Sequence, residues 1–120
     1  MKVLAWNIRQ GGGSRIDKIV CSIQEKQPDV VVLTEFRNNR NGEIVKSALK
    51  KYGLIHQTSG EATEKNTLFI ASRFSFTPST FKTELGSEAH RCIGVNFDDF
   101  HLFGFYFPQK FEKIPLFNFV

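Results

Sequence analysis

DVVVLTEF, residues 29–36, is a short and nearly continuous apolar run rich in β-branched residues. Such a run reads as a strand covered on both faces. Upstream, KVLAWNI (2–8) reads as a second buried strand. Between them Ile16, Ile19, Val20 and Ile23 recur at i, i+3, i+4 and i+7, which is one face of a helix. Ser14 stands where an N-cap belongs, with Asp17 three residues on as a variant capping box. Pro28 stops that helix after about Gln27. Strand, helix and strand within 36 residues make a βαβ unit with parallel strands and a right-handed crossover.

Downstream, RNNRNG (37–42) reads as a loop. Ile44, Val45, Ala48, Leu49 and Tyr52 then mark a second helix, closed by Gly53. From there the period shortens. LIHQTS (54–59), NTLFIASR (66–73), FSFTPSTF (74–81), HRCIGVNF (90–97) and HLFGFYFP (101–108) read as short strands, with Asp98-Asp99 as a hairpin turn between the last two. Eleven of the 13 phenylalanines lie from Phe74 onward, so this β-rich part contributes heavily to a core.

The 120 residues have room for one domain, 1–120, with one core. A hydrophobic fraction of 41% and a charged fraction of 23% are ordinary for a soluble globular protein. The formal charge of +4 gives a mild attraction to polyanions, but no block of like charges forms a nucleic-acid-binding tail. Cys21 and Cys92 fall in no CxxC pattern and read as free thiols of a reducing compartment. No signal-peptide pattern and no membrane-length apolar run is visible, so a cytoplasmic, membrane-free location is expected.

Asn7, Glu35 and Tyr106 each end a predicted strand, where ligands of open α/β sheets bind. A carboxylate at the end of an apolar run such as Val30 to Thr34 is costly unless it pairs or binds a cation. Arg37, two residues on, is one partner for Glu35; a hard oxygen-ligand site for Mg²⁺ or Mn²⁺ is the other reading. Asn7 offers both a donor and an acceptor beside Glu35, and it also suits the start of a turn. The glycines at 11–13 would let a substrate approach the backbone closely, without the GxxxxGK[ST] pattern of a nucleotide loop.

WN (6–7), PDVVVLTEFR (28–37), NTLFIASR (66–73) and GFYFPQ (104–109), in that order, resemble the endonuclease/exonuclease/phosphatase superfamily of exonuclease III-like and DNase I-like phosphodiesterases. The resemblance implies an α/β sandwich of four layers, two sheets face to face with helices outside. This chain would represent its N-terminal half: a mixed sheet with a βαβ start, two helices on one face, then antiparallel strands. It implies Asn7 as active-site asparagine and metal-site partner, Glu35 as the Mg²⁺-binding glutamate, and Tyr106 as a tyrosine at the scissile phosphate. Arg91 matches an arginine that members often carry on a neighbouring strand, and Arg37 would join it in holding substrate. Nucleic acid or another phosphodiester is the implied substrate.

Members of the family also carry an Asp-x-Asn pair and a terminal Asp-His pair, which no stretch here supplies. The sequence ends with five large apolar residues in its last seven, like the middle of a domain. A truncated domain, inactive or nearly so alone, is therefore expected, with its Phe-rich face awaiting a second sheet. A homodimer or a complementing second-half polypeptide would supply the cover. The competing expectation is a non-catalytic remnant that self-associates or binds nucleic acid through Arg37, Arg40, Lys46, Lys50 and Lys51.

Overall fold

The computed structural model describes residues 1–60, 65–79 and 92–105. β1 (Val3–Asn7) leads through a tightly wound segment, Gln10–Arg15, into α1 (Ile16–Lys26) and β2 (Val30–Phe36). α2 (Arg40–Lys51), β3 (His56–Ser59), β4 (Thr67–Ser72), β5 (Thr77–Pro78), β6 (Cys92–Asn96) and β7 (His101–Phe105) follow. The first sheet has the order β1-β2-β4-β3 and is mixed: β1 and β2 run parallel, while β4 is antiparallel to both β2 and β3. β5, β6 and β7 form a second, antiparallel sheet. The βαβ start, the two helices and the later antiparallel strands thus stand as the sequence pattern predicts.

The apolar run in β2 explains the layering. Its residues alternate between two cores, as the two-residue period of a strand requires. Val31 and Leu33 join Phe69 and Ala71 beneath Ile19, Ile23, Val45 and Leu49 of the helices. Val30 and Val32 join Leu68 and Ile70 against Val95 and Phe97. The described residues therefore form three layers: helices, first sheet, second sheet. The second face of the first sheet is thus covered by the same chain. Phe76, Ile93, Phe100 and Leu102 of the same chain pack there, and Gly104 comes close enough that a Cβ would lie 3.2 Å from Val32. The outer side of β7 is more open, with Phe103 and Phe105 each over 40% exposed. Tyr106, Arg91 and the apolar cluster at 114–120 lie outside the described residues.

Two local expectations need correction. Ser14 does not cap α1; the residue before the helix is Arg15, and no side chain caps it. The reason lies just upstream, where Arg9, Gln10, Gly11, Gly12 and Gly13 all have positive φ. That left-handed path delivers the chain to the helix at an angle that takes Ser14 away from the cap position. Arg15 instead donates to the carbonyls of Ile8 at 3.2 Å and Arg9 at 3.0 Å, pinning the segment from beneath. The α1 helix ends at Lys26 with Gln27 left-handed (φ 48°, ψ 55°) ahead of Pro28. The "loop" at 37–42 contains the first turn of α2: Asn39 caps it, accepting from the Gly42 N–H at 3.0 Å. Gly42 is required there because a Cβ would lie 2.2 Å from the Arg37 carbonyl oxygen. At the other end, the Gly53 and Leu54 N–H groups donate to Lys50 and Leu49, a Schellman closure with Leu54 buried near Leu49.

Candidate active site

The site forms where β1 and β2 end side by side. Asn7 pairs with Thr34 in the parallel register, which sets Glu35 one residue beyond. Between Thr34 and Phe36 the register with β4 slips, and Glu35 sits in this bulge at φ 57°. Bulges re-aim side chains at the rims of sheets. A left-handed glutamate costs about 1–2 kcal/mol, and the flanking strands hold it in place through Thr34 and Phe36. Among the described residues four non-glycines have positive φ: Arg9, Gln10, Gln27 and Glu35. Gln27 ends a helix, where that conformation is ordinary. The other three converge on this one rim, and strain concentrated in this way marks a candidate functional site.

Glu35 is half-buried and, among the described residues, held by neutral donors. Asn7 Nδ2 donates to Oε2 at 2.7 Å. The Gln10 backbone N–H donates to Oε1 at 3.2 Å, and Asn66 Nδ2 donates to the same oxygen at 3.3 Å. Asn7 is itself fixed, since its Oδ1 accepts from the Arg9 N–H at 2.9 Å. A carboxylate has about four acceptor positions, so among the described residues one on Oε2 stays open. The ion pair with Arg37 offered by the sequence is not formed; the Arg37 Nε–H donates to Asn66 Oδ1 at 2.8 Å instead. The terminal nitrogens of Arg37 have no partner among the described residues.

The glycine run serves this arrangement from inside. Gly11 and Gly12 are buried, and a Cβ on Gly11 would lie 3.2–3.3 Å from the Arg37 stem. A Cβ on Gly12 would lie 2.8 Å from Ile16 and 3.0 Å from Ile19. These two glycines admit the chain's own side chains, not a substrate, which corrects the expectation drawn from sequence. Gly13 alone of the three faces open space.

Of the residues singled out in the sequence, the structure brings Asn7, Glu35 and Arg37 to one rim; Tyr106 and Arg91 fall outside the described residues. Sequence reasoning missed Asn66 and Gln10. Asn66 precedes β4, and β4 pairs with β2, so strand pairing was the available signal. Among the described residues no group of three or more His, Cys, Asp or Glu side chains is placed to hold a metal ion. His101 is hydrogen-bonded to Asn96, and His56 stands edge-on to Phe76. The basic residues divide. Lys46 is engaged by Asn38 at 3.4 Å and Glu43 at 3.7 Å and lies over the Phe36 ring, whereas Arg40, Lys50 and Lys51 are exposed. No described helix is long and apolar enough to cross a membrane.

Two sheets packed face to face with two helices on one side have the layering of a DNase I-like α/β fold. No protein-family model matches the sequence, and no curated protein matches it significantly. Solved structures carry the likeness. An AP endonuclease from Archaeoglobus fulgidus superposes with a TM-score of 0.72 at 18% identity, over 90% of this chain and 41% of that one. An endonuclease/exonuclease/phosphatase from Beutenbergia cavernae gives 0.59 at 18% identity, over 95% of this chain and 40% of that one. A truncated Caenorhabditis elegans TDP2 gives 0.67 at 16% identity, over 98% of this chain and 52% of that one. The chain thus spans about half the length of these neighbours, or less.

Proposed function

We propose that this chain carries part of a phosphoester-hydrolysing site of the endonuclease/exonuclease/phosphatase type, in which Glu35 takes a divalent cation, Mg²⁺ or Mn²⁺. One observation carries the reading. Glu35 is re-aimed by a bulge, held by three neutral donors, and left with an open acceptor position and no cationic partner among the described residues. An ordinary structural carboxylate in this position would take the arginine two residues away.

The donor set fits Mg²⁺ as a sparse site, since that ion commonly uses one or two carboxylates with waters and substrate phosphate oxygens. Glu35 would hold it, with Asn7 orienting the carboxylate. The ion would supply charge neutralisation at the phosphoryl oxygens. The terminal nitrogens of Arg37 face no competing partner among the described residues and suit a phosphate oxygen. Tyr106 and Arg91 are proposed as further phosphate contacts on the sequence resemblance. No group suited to activating water stands beside Glu35 among the described residues. Since a general base contributes on the order of 10²–10⁴-fold, hydrolysis by these residues alone is expected to be slow. The nuclease and phosphatase names of the structural neighbours support a nucleic acid or another phosphodiester as substrate.

The test is a Mn²⁺ titration followed by electron paramagnetic resonance on the wild type and Glu35→Gln, with a phosphodiesterase assay on the same samples. Weak binding that the substitution abolishes is expected. Equal binding by both proteins removes Glu35 from any metal site.

A further inference from the structure

Asn66 stands between two opposite charges that sequence places two residues apart. Its Oδ1 accepts from the Arg37 Nε–H at 2.8 Å, and its Nδ2 donates to Glu35 Oε1 at 3.3 Å. The amide can be oriented only one way: guanidinium nitrogens donate and carboxylate oxygens accept, so reversing the amide would spoil both bonds. The aliphatic stem of Arg37 is held on its other side by the backbone of Gly11, where a Cβ would lie 3.2 Å away. Arg37 is thus clamped between a glycine and an amide. It reaches Glu35 only through that amide.

We infer that Asn66 is a positioning residue that keeps the Arg37 guanidinium off the Glu35 carboxylate and so preserves Glu35 for a divalent cation. This rests on the reading of Glu35 as a cation-binding group. The physical reason is competition. An arginine in direct contact with a carboxylate tends to engage both oxygens in parallel. That contact would fill the open position on Oε2 and displace the donors now on Oε1. With a neutral amide interposed, the carboxylate keeps one acceptor position open among the described residues. The guanidinium keeps its terminal nitrogens for an incoming anion.

The experiment is a double-mutant cycle read by Mn²⁺ binding. Asn66→Ala frees Arg37 to collapse onto Glu35 and should weaken binding about tenfold, within the range of coupling between contacting groups. Arg37→Gln alone should strengthen it modestly by removing a nearby positive charge. Asn66→Ala with Arg37→Gln should return affinity to within about threefold of wild type. If the double variant stays as weak as Asn66→Ala, Asn66 acts only through its own bond to Glu35 and the inference is overturned; unchanged binding in Asn66→Ala overturns it as well. Asn66→Ser, which keeps a polar side chain too short to bridge, should behave like Asn66→Ala and guards against a folding defect. A second readout needs no metal. The Arg37 Nε–H resonance should move more on Glu35→Gln in the Asn66→Ala background than in wild type. If wild type takes up no Mn²⁺, the cation-site reading fails, and this resonance still decides whether Asn66 separates the two charges: an equal displacement in both backgrounds means that it does not.

Discussion

The Asn7 amide donates to Glu35 Oε2 at 2.7 Å, tying together the ends of two parallel strands. Asn7 is exposed, so water can replace much of what this bond contributes to stability. Its larger consequence is for the position of the carboxylate. Asn7→Asp would set two carboxylates side by side there, destabilising the metal-free protein by about 1 kcal/mol and sharpening its appetite for a divalent ion. Since a ligand that binds only the folded state stabilises it, Mn²⁺ should raise the urea midpoint of Asn7→Asp more than that of wild type. An equal rise in both would place the ion elsewhere.

Glu35 pays for its aim with a left-handed backbone at φ 57°. Glycine adopts that conformation without the Cβ clash, whereas alanine retains it. Both substitutions delete the same carboxylate and its three hydrogen bonds. The difference between Glu35→Gly and Glu35→Ala therefore isolates the backbone term, and the glycine variant should be more stable by about 1 kcal/mol. Urea denaturation of the pair checks this. A more stable alanine variant would mean that the bulge relaxes when the carboxylate is gone.

Much of this site was legible in sequence because strand ends are legible. The run from Val30 to Leu33 predicts a strand covered on both faces, and both cores indeed claim it. Glu35 follows at its end, and the parallel strand brings Asn7 beside it. What the sequence hid was the contribution of distant or unusual backbone. The bulge at Glu35 leaves no pattern, because a glutamate gives no sign of a left-handed conformation. Asn66 looks like a turn residue until β4 is paired with β2, 31 residues from Glu35. The capping residues were misjudged for related reasons. Ser14 had the right chemistry on a path bent away by its left-handed neighbours, and Asn39 capped a turn whose composition reads as loop.

Gly42 and Gly13 separate steric from conformational need. A Cβ at 42 would meet the Arg37 carbonyl oxygen at 2.2 Å and Phe36 at 3.0 Å, whereas one at 13 meets nothing within 4 Å. Gly42→Ala should cost about 1–3 kcal/mol, as overpacking does, and should displace Arg37 from Asn66. Gly13→Ala meets no such clash and carries only the penalty of its backbone, φ 52° with ψ −135°, about 1–3 kcal/mol. Thermal denaturation ranks the two. Because Gly42 also supports Arg37, its variant should show a changed Arg37 Nε–H resonance, which Gly13→Ala should leave in place.

The exposed basic residues offer a test of polyanion binding that depends on geometry. α2 begins beside the site, where Asn41 donates to the Gly13 carbonyl at 3.1 Å, and runs to Lys51 at the opposite end. At 1.5 Å per residue, Lys50 and Lys51 lie roughly 15 Å along the axis from Arg40. Lys46, between them, is already engaged by Glu43 and Asn38. A nucleic acid seated at Glu35 should therefore feel Arg37 and Arg40 more strongly than Lys50 and Lys51. Each phosphate that a basic side chain neutralises adds about 0.7–0.9 to the steepness of the log–log salt dependence. Arg40→Ala is expected to flatten the slope by about that amount, whereas Lys50→Ala with Lys51→Ala should flatten it by less for the pair together. Fluorescence anisotropy with a short oligonucleotide at several salt concentrations measures both. The reverse order would place the polyanion along the far end of α2, away from Glu35, and would separate binding from the proposed chemistry.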